Sequence, residues 1–512
     1  MNAFTHAMQL AIHSGEYWWG GVVQDGVHMP FPSGGYAADL RNDFRGNQAA
    51  PLLLSSQGRY IWCDSAFAFS IGKGEICLRA PDSRPECGEG FGTLAGAYRA
   101  ACRRFFPPSG RMPDPLAFTA PQYNTWIEMP YEPTQEKVLH YARSILEHGM
   151  PPGVLTIDDN WCEDYGVWNF HPGRFPDPDA MVRQLHAWGF KVMLWFCPFV
   201  SPDSPTFRDL AARRCLIRGE DHAPLIRKWW NGYSALLDLT HPRTLEWVNA
   251  CLDQLVREFG IDGFKFDGGD PEYYAAEDGI HAPARPEEYC EAWGRIGLRY
   301  SLSEYRACWK LAGQHLIQRL RDKHPAWGRD GLADLIPNGL AQGLAGYAFI
   351  CPDMIGGGEI ASLSKADFAL DQELFVRTTQ CATLFPIMQF SMAPWRLLDT
   401  EHLDGCLEMV ALRRKMGPEI VRLARHAAQT GEPILRPLAY EFPECGLEPV
   451  TDQFMLGEDI LVAPVLRQGA TTRTVVFPPG AWADEDGRCL QGPAEIEVEA
   501  PLGRLPWYRR VA

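Results

Sequence analysis

The sequence lacks the signatures of membrane, metal and nucleotide chemistry. No stretch reaches the ~18 consecutive apolar residues of a membrane span. There is no HExxH and no paired-His spacing, and neither GxxxxGK[ST] nor a complete GxGxxG opens a helix. No metal and no cofactor is therefore expected. The fifteen cysteines run from Cys63 to Cys489 without a CxxC pair, and their odd number argues against a disulfide framework. The first residues, MNAFTHAMQLAIHSGEYWWGG, lack a basic start followed by an apolar run, so the expected setting is cytoplasmic, with reduced, buried thiols. Positive charge is also in deficit. Lys and Arg total 48 against 64 for Asp and Glu, and a formal charge of −16 repels phosphate backbones and anionic lipid. Nucleic acid and membrane are thus excluded as expected partners, whereas a homo-oligomer is compatible with the composition. No internal sequence repeat and no low-complexity run is present.

What is present is ordinary globular composition, 46% hydrophobic and 22% charged, spread over 512 residues. That length exceeds one core and suggests about three domains. Residues 1–115 carry turn pairs and short alternating runs, such as Arg59-Tyr60-Ile61-Trp62 after Ser56-Gln57-Gly58, and few helical periods. They read as a β-sandwich. Over 116–428 the texture becomes helix, glycine, apolar strand, repeated. Thr134 is placed to cap a helix with apolar positions Val138, Leu139, Ala142, Ile145 and Leu146, stopped by Gly149, before a strand at Val154–Ile157. The pattern recurs as a helix from Asp179 to Trp188 with a strand Phe190–Phe196, and as a helix from Thr240 or His241 to Phe259 with a strand Gly263–Phe266. Further strands are expected at His315–Arg321 and, after a helix near Leu332–Gln342, at Tyr347–Cys351. Alternation of this kind over this length predicts an α/β fold, a parallel (β/α)8 TIM barrel. Residues 429–512 return to strands around Pro433–Leu438, Ile460–Val465 and Thr474–Phe477, read as a C-terminal β-sandwich.

Acidic residues fall repeatedly at the expected C-terminal ends of the barrel strands, where barrel enzymes place their chemistry. With 17 Trp in the chain, this points to a sugar site, because glycosidic bonds yield to paired carboxylates and sugar faces stack on rings. The sharpest segment is Ile261-Asp262-Gly263-Phe264-Lys265-Phe266-Asp267-Gly268-Gly269-Asp270. Lys265 shares a strand face with Asp267 and would keep it ionised, while the two glycines would let backbone approach a substrate. Spacing alone fits a surface turn equally well.

This segment resembles the nucleophile strand of glycoside hydrolase family 31, with Asp267 in the nucleophile position and Lys265 where many members carry Trp. Asp322-Lys323-His324-Pro325-Ala326-Trp327 resembles the family's acid/base segment, in which an Asp precedes a Trp by five residues. Asp330 and Asp334 lie nearby, but only Asp322 has Trp327 at that spacing. Cys351-Pro352-Asp353-Met354-Ile355-Gly356-Gly357, Phe175-Pro176-Asp177-Pro178, and Trp230-Asn231-Gly232 are similar to further family blocks. Outside the barrel, Pro51 to Tyr60 resembles its N-terminal domain, and Asp452 to Gly457 with Leu461 to Val465 its C-terminal one. Phe385-Pro386 runs into Ile387-Met388-Gln389, where many α-glucosidases of the family have a His. The resemblance implies an α-glycosidase taking an oligosaccharide or glycoside, with an α-galactoside or α-glucoside-type terminal hexose. A retaining mechanism would hold the two carboxyl groups roughly 5–5.5 Å apart.

Around that pair the substrate-binding candidates are Asp158 and Asp159, Trp161, Trp195 and Trp230, Lys265, Arg319, Trp327 and Asp353. Of the adjacent aspartates, the family pattern favours Asp158. The tryptophans are candidate sugar platforms, although a lone barrel Trp is more often core. Arg319 would orient a carboxylate or a substrate hydroxyl, and Asp353 would either bind sugar or cap its Gly-rich turn. Two other readings compete: a carbohydrate-binding protein on a glycosidase frame, and a barrel α-galactosidase of a related family. Retention of both carboxylates argues against the first, and the Asp452-to-Val465 blocks against the second.

Overall fold

A computed structural model describes residues 4–41, 43–364 and 368–511. Its centre is an eight-stranded parallel sheet made of β1 Gln122–Asn124, β2 Val154–Ile157, β3 Lys191–Phe196, β4 Gly263–Phe266, β5 Leu302–Tyr305, β6 Ile317–Arg319, β7 Ile350–Cys351 and β8 Gln389–Phe390. Neighbours follow in the order β7-β6-β5-β4-β3-β2-β1-β8. The two ends meet: Ile387 N donates to Ile350 O at 2.9 Å, and Ile355 N to Gln389 O at 2.8 Å. The chain therefore forms the expected TIM barrel.

The long elements start and stop where the chemistry of their ends dictates. Thr134 caps the helix Gln135–Glu147 by accepting from Lys137 N, and Gly149 follows with φ +77°. The helix Pro242–Phe259 is capped by His241 and closed by Gly260 in the left-handed region. Each then feeds a strand buried on both faces, the arrangement that a βα repeat requires. Strands β6 and β7 are shorter than the runs His315–Arg321 and Tyr347–Cys351 expected for them. The last barrel helix runs Thr400–Thr430 and is closed by Gly431 in the left-handed region.

The N-terminal region packs two antiparallel sheets. One runs His6–Ala11, Glu75–Ala80, Ala68–Gly72, Tyr36–Asp39. The other centres on Gln48–Ser55, which is buried at all eight positions. Between β5 and β6 the usual helix is replaced by Cys308–Trp309, which pairs in parallel with Gln48–Ala49 and so stitches the N-terminal sheet to the barrel rim. Few helical periods were expected here, yet Leu94–Phe105 is a helix whose apolar face is mostly small residues, Ala97, Ala101 and Cys102 beside Leu94 and Tyr98. A stripe that narrow gives a weak periodic signal. The C-terminal region is a six-stranded antiparallel sheet built from Leu435–Arg436 to Trp507–Val511 around its own apolar cluster.

Candidate active site

A cleft of about 920 Å³ opens over the C-terminal ends of the barrel strands. Asp158 and Asp159 follow β2 directly, Asp267 follows β4, Arg306 follows β5, Asp322 lies three residues beyond β6, and Trp126 two beyond β1. All six line it, together with Trp195, Trp230, Lys265 and Asp270. Asp267 and Asp322, 55 positions apart along the chain, thus face one cavity. From the N-terminal region Gln24, Asp25, Val27, His28, Asp43, Arg45 and Gly46 form part of its wall, a role that the N-terminal sequence did not suggest.

Asp267 is held as an anion. Trp195 Nε1 donates to its Oδ2 at 3.1 Å, while Arg306 Nε at 3.1 Å and Gly268 N at 2.9 Å donate to Oδ1. Burial alone would raise its pKa, but the Arg306 guanidinium, with Lys265 and Arg319 behind it, holds the carboxyl well below the usual carboxylate range. Arg306 is fixed in turn by a bidentate pair with Asp270, at 2.8 and 2.7 Å, by the Gly46 carbonyl at 2.7 Å, and by the Trp230 ring 5.5 Å away. Sequence reasoning missed Arg306. Its available signal was its position one residue past a strand, but β5 itself was not foreseen.

Lys265 reaches away from Asp267 to Asp158, donating to Oδ2 at 2.7 Å inside the protein. Burial disfavours its charge, and Asp158, together with Asp267 and Glu304, more than restores it against the repulsion of Arg319. A buried pair of this kind is costly to break from one side. Lys265→Met should lower unfolding stability by about 3–5 kcal/mol, because Asp158 is left charged and unpaired. Denaturant unfolding of the variant measures this, and a loss under ~1 kcal/mol would mean that the pair is solvated. Asp159 is pushed up to about 7 by burial and by the neighbouring Asp158, although Tyr165 and Asn231 donate to it.

Several expectations need correction. Gly268 and Gly269 adopt φ +67° and +73°. A Cβ on Gly268 would press on Phe199 and Pro198, and one on Gly269 would lie 2.4 Å from the Trp293 ring. Protein packing, not substrate approach, requires these glycines. Trp161 is fully buried and donates to Trp195 O at 2.8 Å, so it is core and no sugar platform. Trp195 is buried too and meets the cleft through the N–H that bonds Asp267. Trp327 stands off the cleft, its Nε1 donating to Asp371 at 2.8 Å. Trp230, 45% exposed at the tip of the hairpin Ile226–Leu236, lines the cleft with Arg306 over its ring, and Trp126, unforeseen, lines it from β1. Arg319 and Asp353 are buried beneath Asp322 and outside the cleft lining. Asp330 is engaged by Arg321 and Lys323, and Asp334 accepts from Asp330 N.

Asp322 differs from Asp267 in setting. Its side chain is 36% exposed and meets one cation, Arg319, at 2.8 Å. An enclosed anion and an open carboxyl across a cleft edged by aromatic rings are what a barrel enzyme needs to break a glycosidic bond. By fold and site the protein is of the glycoside hydrolase class.

Comparison with known proteins specifies the family. Residues 111–421 match the glycosyl hydrolases family 31 TIM-barrel domain and 431–511 the family 31 C-terminal domain, so the chain belongs to glycosyl hydrolase family 31. It is 35% identical to the myogenesis-regulating glycosidase of Mus musculus, over 98% of this chain and 75% of that protein. It is 28% identical to the 1,3-alpha-isomaltosidase of Kribbella flavida, over 74% of this chain and 59% of that one. The fold superposes on the GH31 dextranase of Flavobacterium johnsoniae with a TM-score of 0.85 at 21% identity, covering 98% of this chain and 66% of that chain.

Proposed function

We propose that the protein is a retaining, exo-acting α-glycosidase that releases a terminal α-linked hexose of galactose or glucose type by double displacement. Asp267 attacks the anomeric carbon while Asp322 protonates the departing glycosidic oxygen. Asp322 then takes a proton from the water that attacks the same carbon and frees Asp267. The observation that carries this reading is the contrast between the two carboxyls of one cleft: Asp267 gripped by Trp195, Arg306 and Gly268 N, Asp322 open and singly paired. A nucleophile must remain charged and an acid must be able to hold a proton.

Asp322 is favoured over Asp330 as the acid, because Asp330 is occupied by Arg321 and Lys323. Asp158 and Lys265 supply an acceptor and a donor at the cleft floor, and Trp230 a stacking face, which suits a neutral sugar ring. Gln389, at the place where many family glucosidases have a His nearby, bonds to Glu304 and Gln122 inside the barrel. The free state of all fifteen cysteines supports a reducing, cytoplasmic setting.

A panel of nitrophenyl α- and β-glycosides, with the product anomer followed by NMR, tests the proposal. Turnover of an α-galactoside or α-glucoside with first release of the α-anomer is expected. Activity confined to β-glycosides, or first release of the β-anomer from an α-glycoside, would overturn it. Binding of sugars without turnover would favour the carbohydrate-binding reading.

A further inference from the structure

Beneath the open carboxyl of Asp322 lies a buried polar chain that crosses the barrel. Arg319, at the end of β6, donates from Nη1 to Asp322 Oδ1 at 2.8 Å, to Asp353 Oδ1 at 3.1 Å and to the Leu320 carbonyl at 2.9 Å. Its Nε donates to Glu304 of β5 at 3.2 Å, and Glu304 accepts from Gln389 of β8 at 2.7 Å. Arg319, Glu304 and Asp353 are each at most 3% exposed.

The charges in this chain do not balance. One guanidinium faces three carboxyls, from Glu304, Asp322 and Asp353. The neighbouring cations are committed elsewhere: Lys265 to Asp158, Arg306 to Asp267 and Asp270, and the Lys323 ammonium to Asp330 and Gln24. His324 pairs with Glu359 and with Asp330. The two hydrogens of Nη1 meet three acceptors, and Asp353 Oδ2 takes a neutral hydrogen bond from Lys323 N at 2.6 Å, so Arg319 remains the one cation bonded to the two aspartates. Uncompensated negative charge at low dielectric is relieved by retaining a proton.

We infer that Asp322 and Asp353 work as one acid/base unit that shares a single proton across Arg319, with Asp353 a positioning residue that keeps Asp322 in its acid form until the glycosidic bond breaks. This rests on the reading of Asp322 as the acid/base group. In the first displacement the shared proton leaves through Asp322 to the glycosidic oxygen, the C1–O bond breaks, and the Asp267–C1 bond forms. Both carboxylates then have Arg319 as their one bonded cation, with Lys323 N also donating to Asp353 Oδ2 at 2.6 Å. In the second, Asp322 takes a proton from water as that oxygen bonds C1 and Asp267 departs, and the pair holds one proton again. Two features accord with this. Burial, and next the charge of Asp322, push Asp353 up to about 7. Gly358 leaves the unit no slack, since a Cβ there would lie 2.6 Å from the Asp322 carboxyl carbon.

The test is an infrared difference titration of the full chain between about pH 5 and 9, following the carbonyl band of protonated carboxyls. It is run on the parent, on Asp159→Asn to subtract the other aspartate raised to about 7, and on Asp322→Asn and Asp353→Asn. The band that titrates near neutrality should vanish in each of the last two, because either change removes the partner charge that retains the proton. Persistence in Asp322→Asn would show that burial alone protonates Asp353 and would overturn the inference. In the kinetic arm, Asp353→Asn removes an anion beside the acid. The alkaline limb of kcat/KM should therefore move down by ~1 pH unit or more, with poor leaving groups losing more than good ones. An unmoved limb with equal losses would reduce Asp353 to a structural role. A parent that turns over no glycoside yet shows the shared band would count against the proposed function and not against the sharing.

Discussion

Asp267→Asn is expected to reduce turnover by on the order of 10⁴-fold or more, the scale seen when a reacting group is removed. An amide is a poor nucleophile, and the anion at which Trp195, Arg306 and Gly268 N point is lost with it. The fold should survive, because Arg306 keeps its bidentate contact with Asp270 and its bond to the Gly46 carbonyl. Sugar binding, measured by calorimetry with the released hexose, should change little while kcat collapses. Parental kcat in this variant would end the assignment. A second consequence concerns pH. With Asp267 held below the usual carboxylate range it is ionised above about pH 4, so a loss of rate on acidification in the neutral range must come from another group.

Asp322→Ala is expected to divide substrates by their leaving groups. General acid help contributes roughly 10²–10⁴-fold, and only where the departing oxygen needs a proton. Alkyl and sugar aglycones should therefore lose that factor in kcat/KM, whereas a dinitrophenyl glycoside should be cleaved from the enzyme at nearly the parental rate. Its second displacement, deprived of a base, should become limiting and appear as a burst in pre-steady-state kinetics. Equal losses across the series, without a burst, would remove Asp322 from the acid/base role. Because Asp322 is partly exposed, the substitution leaves no cavity in the core.

Asp267 and Asp158 were legible in the sequence because the strands before them signal strongly, whereas Asp322 was read from its spacing to Trp327. Gly263–Phe266 and Val154–Ile157 are short apolar strands set between a glycine-stopped helix and an acidic residue, and their bounds follow directly. The strands that escaped notice, Gln122–Asn124, Leu302–Tyr305 and Gln389–Phe390, put Gln122, Glu304 and Gln389 inside the barrel. Polar residues that satisfy one another across strands erase the apolar run by which a buried strand is recognised. Arg306 was hidden for the same reason, since its importance comes from Asp270, Gly46 and Trp230, which are distant in sequence. Trp161 and Trp230 show the opposite limit. Side-chain type was the same, and only the packing of β3 and of the hairpin Ile226–Leu236 decided that one is core and the other faces the cleft.

The inward layer also explains how a lysine at 265 is accommodated without disrupting the barrel. Trp195, Lys265 and Glu304 are register partners across β3, β4 and β5. A lysine there has Asp158 to pair with on one side, and charge-matching stands in for apolar packing. The cleft floor consequently presents hydrogen-bonding groups, and Trp126 and Trp230 also line the cleft.

Double displacement requires a covalent bond between the sugar and Asp267. A fluorinated α-glycosyl donor, chosen so that the first displacement is faster than the second, should leave one hexosyl unit on the protein. Mass spectrometry of a proteolytic digest is predicted to place it on the peptide containing Asp267. Stoichiometric inactivation with the label on a different carboxylate, or steady turnover with no adduct at any time point, would contradict the account.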